Sequence, residues 1–289
     1  MLNREIKKEK IGLIQIDGTE PNLALMKLSK FYKDQGKEII LIDLSTLGIN
    51  KWIASKIFIG GSGYNLGENL PTEIEELVPD YELYNIDYSM GFTTRGCIKH
   101  CDFCIVQQKE GSLIEVNMNW IKHNKVMVMD NNFLASPLWK EKLIYFINGK
   151  MKVSINQALD ITLINEDNIK LLKKLKSYDM KFKKIRYYFA FDHIELKDIV
   201  EKNIKLMIEH GFNTKWLMFY ILTGFDTTHQ QDLERINLLI KYNCLPYIMK
   251  YNNKLNDKWL NNLDRWINRG YYRFIPYEEY NKGALVKYF

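Results

Sequence analysis

Short apolar runs alternate with stretches of helical periodicity along most of the chain. Near the N-terminus the runs 11–17, 38–44 and 56–61 predict strands, and residues 22–36 carry apolar side chains at helical spacing. Parallel strands are joined by crossover connections that are usually helical. This part of the sequence therefore predicts a small, doubly wound, Rossmann-like α/β domain, with its connector, over residues 1–85.

From residue 86 to residue 289 the alternation of strands and helices restarts and continues. Six apolar runs predict strands, and helical stretches lie between them, which predicts a partial (β/α)6 TIM-type barrel. In such barrels functional residues gather in the loops after the strands. The predicted strands are 89–94, 125–130, 152–156, 186–192, 216–222 and 245–249, and the predicted helices lie near 138–148, 166–176, 195–210, 228–242 and 256–268.

Composition places the chain among ordinary globular proteins, since 46% of its residues are hydrophobic and 26% are charged. No apolar run approaches the roughly 18 residues that a membrane-spanning helix needs. The N-terminus has charge but no apolar segment of a secretory signal, so we expect a cytoplasmic location without a membrane partner. The formal charge is +6, but the lysines are scattered, and the basic run 170–184 favours a solvated helix face. A groove for nucleic acid stays open as an alternative.

Three of the four cysteines, Cys97, Cys101 and Cys104, have the spacing C-x3-C-x2-C. In a reducing compartment such a cluster indicates metal or redox chemistry rather than a disulfide framework. Thiolates suit iron–sulfur clusters or zinc. A cubane cluster usually takes four cysteines, so three would leave one iron open for a ligand. A structural zinc site that recruits His100 or Cys244 is the alternative, although we expect His100 at the surface and Cys244 buried.

This motif, with Phe103 before its last cysteine, resembles the cluster-binding loop of the radical S-adenosylmethionine (SAM) superfamily. The phrases GFTTRGC and CDFCIV resemble the branch whose radical SAM barrel follows a cobalamin-binding-like domain. The resemblance implies a [4Fe-4S] cluster whose open iron is chelated by SAM, with Phe103 near the adenine. It also implies reductive cleavage of SAM to a 5′-deoxyadenosyl radical that acts on an unidentified substrate. An external electron donor such as flavodoxin or ferredoxin is implied as a partner.

The resemblance further assigns residues after the later predicted strands to the SAM site. Where the family carries a Gly-Gly-Glu-like motif, this chain has Asp130, Asn131 and Asn132, whose oxygens can accept hydrogen bonds from an ammonium group. A basic residue is common in this branch where Thr162 stands, so the partner of the SAM carboxylate is left open. Turns or helix caps, with Thr227 or Thr228 capping one helix, are the alternative at these loops. The other candidates are Gln157, Asp160, Asp192 and Gly224.

The N-terminal domain is shorter than the cobalamin domains of this branch, and it lacks a D-x-H-x-x-G loop. The nearest segment, residues 17–21, has no histidine, so we do not expect cobalamin to bind. We interpret the domain as a shortened relic that covers the barrel or binds substrate. Methylthiotransfer is disfavoured because only Cys244 remains for a second cluster. The rival functions are a cobalamin-dependent radical SAM methyltransferase and a non-enzymatic protein that binds an iron–sulfur cluster or zinc.

Overall fold

The computed structural model shows a mixed α/β protein with small sheets, of which two are parallel throughout. None of the helices it describes is both long enough and apolar enough to cross a bilayer. The residues that it describes are 9–16, 20–42, 54–60, 69–253 and 257–281.

The first of two compact units comprises residues 1–91 and 117–126. Its parallel sheet has the strand order β2–β1–β3, which confirms the predicted strands and their parallel arrangement. Helix α1 begins after Asn22, whose side chain accepts a hydrogen bond from the Leu25 N–H at 3.1 Å. Its buried side packs Leu25 against Leu13 of the sheet. The elements are β1 (Lys10–Gln15), α1 (Leu23–Asp34), β2 (Glu38–Ile42), β3 (Lys56–Gly60) and α2 (Thr72–Glu75).

Several sequence predictions for this unit lie outside the described residues. They are the ends of the three predicted strands at 17, 43–44 and 61, and residues 17–19 of the segment compared with a cobalamin loop.

The first unit extends past residue 85, the end of the predicted N-terminal domain, because strand β4 (Ser89–Gly91) belongs to it. A Cβ added at Gly91 would lie 2.7 Å from the Trp120 ring, so this close approach requires glycine. The Trp120 carbonyl also accepts a hydrogen bond from the Tyr81 hydroxyl at 2.7 Å. These contacts explain why residues 117–126 join the first unit.

The second unit comprises residues 92–116 and 127–289. Apart from the run 89–94, its predicted helices and strands are confirmed, with ends that differ by at most two residues. The elements are β5 (Thr94–Arg95), α3 (Val106–Glu110), β6 (Ile114–Glu115), β7 (Lys125–Val128, whose first two residues are assigned to the first unit), α4 (Trp139–Asn148), β8 (Lys152–Ile155), α5 (Glu166–Leu175), β9 (Tyr187–Ala190), α6 (Lys197–Glu209), β10 (Leu217–Thr223), α7 (His229–Lys241), β11 (Leu245–Lys250), α8 (Lys258–Asn268) and α9 (Tyr277–Asn281).

One predicted strand is wrong in its extent. The run 89–94 is not a single strand, because β4 ends at Gly91 and Thr94 starts the separate strand β5. Strand β5 pairs antiparallel with β6, so that Arg95 lies opposite Ile114. This hairpin encloses the segment that carries the cysteine motif.

Neighbouring strands of the second unit follow one another in chain order. Strand β7 lies beside β8, and β9, β10 and β11 form a parallel sheet. A parallel bridge between Leu159 and Phe189 links the chain after β8 to β9. Along β10 the side chains of Leu217, Phe219 and Ile221 are fully buried, and each contributes roughly 1.5–3 kcal/mol of hydrophobic stabilisation. Because β9, β10 and β11 are parallel, their carboxyl ends lie at the same edge of the sheet.

Candidate functional site

The three clustered cysteines lie on the loop between β5 and α3, in the second unit. Cys97 and Cys101 are half-buried, Cys104 is exposed, and all three thiols are free. The loop is tied to the end of α3, since the Cys97 N–H donates to the Gly111 carbonyl at 3.2 Å. Gly96 has φ +74°, and a Cβ there would lie 2.3 Å from the Ser112 carbonyl oxygen. Only glycine permits this closure of the loop.

Glu110 organises the loop through one carboxylate oxygen. Its Oε2 accepts hydrogen bonds from the Gly96 N–H at 3.0 Å and the Asn131 amide at 2.8 Å, and it pairs with the Arg95 guanidinium at 3.1 Å. Glu110 therefore connects the Asn131 side chain to Gly96, the residue before the first cysteine of the motif. The sequence analysis missed Glu110, because a glutamate at the end of a short helix carries no signal of its own.

Asp130 holds the start of the same loop. It is fully buried, its Oδ1 accepts from the Thr93 N–H at 2.6 Å, and its Oδ2 accepts from the Thr93 and Thr94 hydroxyls at 2.5 and 2.8 Å. Burial raises the pKa of this carboxyl, and the threonine donors oppose the shift. Both oxygens are engaged within the protein, so we reassign Asp130 from a contact with SAM to a support for the loop.

Asp130→Ala should therefore lower the free energy of unfolding by about 3 kcal/mol, because it leaves buried threonine donors without an acceptor. Urea denaturation of the cluster-free protein measures the change. Asp102→Ala, at an exposed position of the same loop, should stay within about 0.5 kcal/mol. Equal stability of the two variants would contradict the role of Asp130.

Asn132 connects the cysteine loop to the residues after β8. Its side-chain N–H group lies 3.8 Å from the Cys97 Sγ and 3.3 Å from the Asp160 Oδ2. The Lys99 N–H also donates to the Cys97 sulfur, at 3.4 Å. Hydrogen bonds to sulfur are among the interactions that tune cysteine-bound iron–sulfur clusters. The Asn132 Oδ1 is buried without a hydrogen-bond partner, which leaves one acceptor for a ligand.

Asp160 forms an ion pair with Lys99, whose ammonium lies 2.7 Å from its Oδ2. Its Oδ1 accepts from the Thr162 N–H at 3.0 Å and from the Thr162 hydroxyl at 2.7 Å. Burial acts to raise the pKa of Asp160, but Lys99 and Thr162 outweigh it and lower the pKa. Thr162 thus stabilises the Asp160 turn, and Lys99 places a positive charge beside the Asp160 carboxylate.

Aromatic contacts bring the cysteine loop to the ends of three strands. The Phe103 ring centroid lies 5.9 Å from that of His193, which follows β9, and 5.7 Å from that of Phe225, which follows β10. Phe225 in turn lies 4.8 Å from Tyr251, directly after β11. Gly224 has φ +78° in the same turn as Phe225. The structure therefore groups Phe103 with these strand ends.

The Asp192 carboxylate is close enough to the cysteines to affect the pKa of Cys101. Burial raises the pKa of the Cys101 thiol, Lys99 lowers it, and Cys104, Asp192 and Cys97 raise it further. Burial also raises the pKa of the Asp192 carboxyl, against the pull of the Arg235 guanidinium.

Arg235 on α7 fixes the backbone of two of these strand ends. The guanidinium is fully buried and donates to the carbonyls of Phe191 at 2.5 Å, Asp192 at 2.7 Å and Leu222 at 2.7 Å. It also pairs with Asp232 at 2.6 Å. The sequence analysis missed both residues, although they occupy positions of the α7 stripe that also carries the buried Ile236 and Leu239.

The remaining candidates are exposed, cap a helix or are buried. Gln157 and His100 are exposed, and Thr228 forms the N-cap of α7, as the alternative interpretation held. Cys244 is buried at the start of β11, at the opposite end of that strand from Tyr251, and burial raises its pKa to about 12. It is therefore a neutral thiol rather than a ligand for zinc or iron.

The side chains of the cysteine loop have the chemistry that a thiolate-bound cluster needs. It provides three free thiols, one of which already accepts hydrogen bonds from two N–H donors. In the described ranges, no three His, Cys, Asp or Glu side chains are grouped as they would be around a metal ion.

Comparison with known proteins leaves the family of this chain unassigned. No protein-family model matches the sequence, and no curated protein matches it. The functional assignment therefore depends on the residues of the site and on their geometry.

Proposed function

We propose that the chain is a radical SAM enzyme that carries a [4Fe-4S] cluster on Cys97, Cys101 and Cys104. The cluster, when bound and reduced, would supply the electron for reductive cleavage of SAM. The observation that carries the proposal is the C-x3-C-x2-C motif on a loop whose Phe103 contacts residues after β9 and β10. Catalytic residues of β/α barrels occupy this edge.

The arrangement of strands supports the finer part of the proposal, a partial (β/α)6 barrel. Strand β7 lies beside β8, the bridge from Leu159 to Phe189 joins the chain after β8 to β9, and β10 and β11 follow. An open barrel of successive βα units has this order. The N-terminal sheet, with its three parallel strands, is in keeping with a shortened Rossmann-like domain.

Within this proposal the chain's own residues bind and orient SAM. The unpartnered Asn132 Oδ1 would accept a hydrogen bond from the amino group of SAM. The Lys99 ammonium, now paired with Asp160, would attract the SAM carboxylate. Phe103 would cover the adenine from the cysteine loop. Holding these groups beside the cluster replaces a bimolecular encounter with an intramolecular one.

Lys99→Met should weaken SAM binding by about 10- to 100-fold, as expected for the loss of a charge-assisted hydrogen bond, while iron content stays unchanged. Equilibrium dialysis of the reconstituted protein with labelled SAM measures the affinity. The matched control is Lys109→Met on α3, for which no change is expected. If both variants bound SAM as tightly as the native chain, Lys99 would lie outside the site.

The proposed function is tested by anaerobic incubation of the cluster-loaded chain with dithionite and SAM. We expect 5′-deoxyadenosine and methionine without added cobalamin. S-adenosylhomocysteine formed only when cobalamin is added would instead identify the methyltransferase. Absence of both products from fully loaded protein would identify a binding protein. The cytoplasmic location and the flavodoxin or ferredoxin partner stay predictions.

A further inference from the structure

The parallel sheet of β9, β10 and β11 has one face covered by helices and one that is partly open. Helices α7 and α8 pack against it. Along β10 the side chains alternate, so that Phe219 and Ile221 are fully buried whereas Tyr220 and Leu222 are half-exposed. The partly open face is thus the one that carries Tyr220.

Strand register identifies the neighbours of Tyr220 on that face. Residues paired across parallel strands share a face, and Tyr220 is paired with Ala190 on β9 and with Tyr247 on β11. The Tyr220 ring centroid lies 5.5 Å from that of Tyr188 in a stacked arrangement, and 5.7 Å from that of Tyr247 in an edge-on one. We call Tyr188, Tyr220 and Tyr247 the tyrosine face.

The tyrosine face is uncharged. Each paired position on this side of the three strands holds an apolar or tyrosine side chain. Burial raises the pKa of Tyr188 and Tyr220 above the ordinary value, so both phenols stay neutral at every physiological pH. Tyr247 is 41% exposed, which leaves its ring accessible to a ligand. A charged group placed here would lose hydration without gaining a partner.

Asn156 is next to Tyr220 through its backbone and carries one unpaired side-chain acceptor. Its backbone carbonyl accepts a hydrogen bond from the Tyr220 hydroxyl at 3.1 Å, which places the residue next to the tyrosine face. The side chain is only 7% exposed, and its Oδ1 is buried without a hydrogen-bond partner. An unsatisfied buried acceptor is costly, so a donor from a bound ligand would stabilise the site.

We propose that the tyrosine face and Asn156 bind an uncharged heteroaromatic ring that carries an N–H donor. The ring packs on Tyr220 and Tyr247, and its N–H donates to the Asn156 Oδ1. Tyrosine faces favour offset or edge-on contact with other rings. The further statement that this ring belongs to the substrate rests on the proposed function, because Phe225 and Tyr251 continue the aromatic contacts from this sheet to Phe103.

Indole and 1-methylindole are the probes, since a methyl group replaces the N–H donor in the second and the bicyclic ring is the same. Titration of the cluster-free full chain by saturation-transfer NMR should show saturable binding of indole. Binding of 1-methylindole should be about fivefold weaker, the effect of one neutral hydrogen bond. Asn156→Leu should bind the two probes equally, and Tyr247→Ala should weaken both. Tyr145→Ala, on α4 at 44% exposure, is the matched control and should change neither.

Equal binding of indole and 1-methylindole to the native chain would overturn the role of Asn156. Unchanged affinities in a folded Tyr247→Ala variant, as judged by circular dichroism, would overturn the tyrosine face as the site. Neither result depends on the cluster. Indole binding in a chain that never cleaves SAM would remove the proposed function and keep the ring site, whereas SAM cleavage without indole binding would remove only the ring site.

Discussion

Replacing Cys97, Cys101 and Cys104 together by alanine should abolish both the iron–sulfur absorption at about 400 nm and the formation of 5′-deoxyadenosine. The reason is that these thiolates would be the ligands of the proposed cluster, and the described part of the chain offers no other thiol at this loop. Anaerobic reconstitution, iron and sulfide determination and chromatography of the SAM products measure the two losses. The expected loss of product is complete rather than partial, because no electron reaches SAM without the cluster.

Cys244→Ala is the matched control and should keep both the absorption and the product, since Cys244 is buried away from the loop as a neutral thiol. One tightly bound zinc ion and no iron in anaerobically purified protein would contradict the prediction. It would identify the structural zinc site, and the triple variant would then lose zinc instead.

Arg235→Met should lower the free energy of unfolding by about 3–5 kcal/mol, the range for breaking a buried ion pair. The variant leaves the Asp232 carboxylate buried without its cation, and it removes the guanidinium donor from the carbonyls of Phe191 and Leu222. Urea denaturation of the cluster-free chain measures the effect. Arg269→Met, at an exposed position, should change the free energy by less than about 0.5 kcal/mol.

A double variant separates the ion pair from the backbone contacts. Arg235→Met combined with Asp232→Leu removes the uncompensated carboxylate, so it should recover part of the stability lost in Arg235→Met alone. The loss of unfolding free energy that remains in the double variant then measures the contribution of the hydrogen bonds from Arg235 to the carbonyls at the strand ends. A loss below about 1 kcal/mol in the single variant would show that these contacts do not stabilise the fold.

Hydrophobic periodicity predicted the longer helices and strands because it reports which side of each helix or strand is buried. It failed at the β5–β6 hairpin and at helices α2, α3 and α9, whose two to five residues are too few to show a period. The candidate loops were predictable in the same way, since polar residues such as Asp160 follow apolar strands. Spacing and residue type singled out the cysteine motif without any knowledge of the fold.

The partners of the polar residues could not be predicted, because they are distant in sequence. Asp130 was expected to face a ligand, but its acceptors are taken by Thr93 and Thr94, 37 and 36 positions away. Arg235 reaches the Phe191 carbonyl across 44 positions. The sequence around these residues does not reveal either contact. A charged pair within the apolar stripe of a helix, as at Asp232 and Arg235, is a sequence signal that could have been found.

The burial of Cys244 also bears on how the chain tolerates oxygen. Loss of the proposed cluster in air would leave loop thiols that oxygen can oxidise to a disulfide, and a further thiol attacks that disulfide only as an accessible thiolate. A fourth cysteine at the surface could form an intramolecular disulfide with a loop cysteine and remove a ligand of the cluster. Because Cys244 is 2% exposed and burial raises its pKa to about 12, disulfide formation would involve Cys97, Cys101 and Cys104 rather than Cys244. We therefore expect a reductant that restores these three thiols to allow iron and sulfide to rebuild the proposed centre.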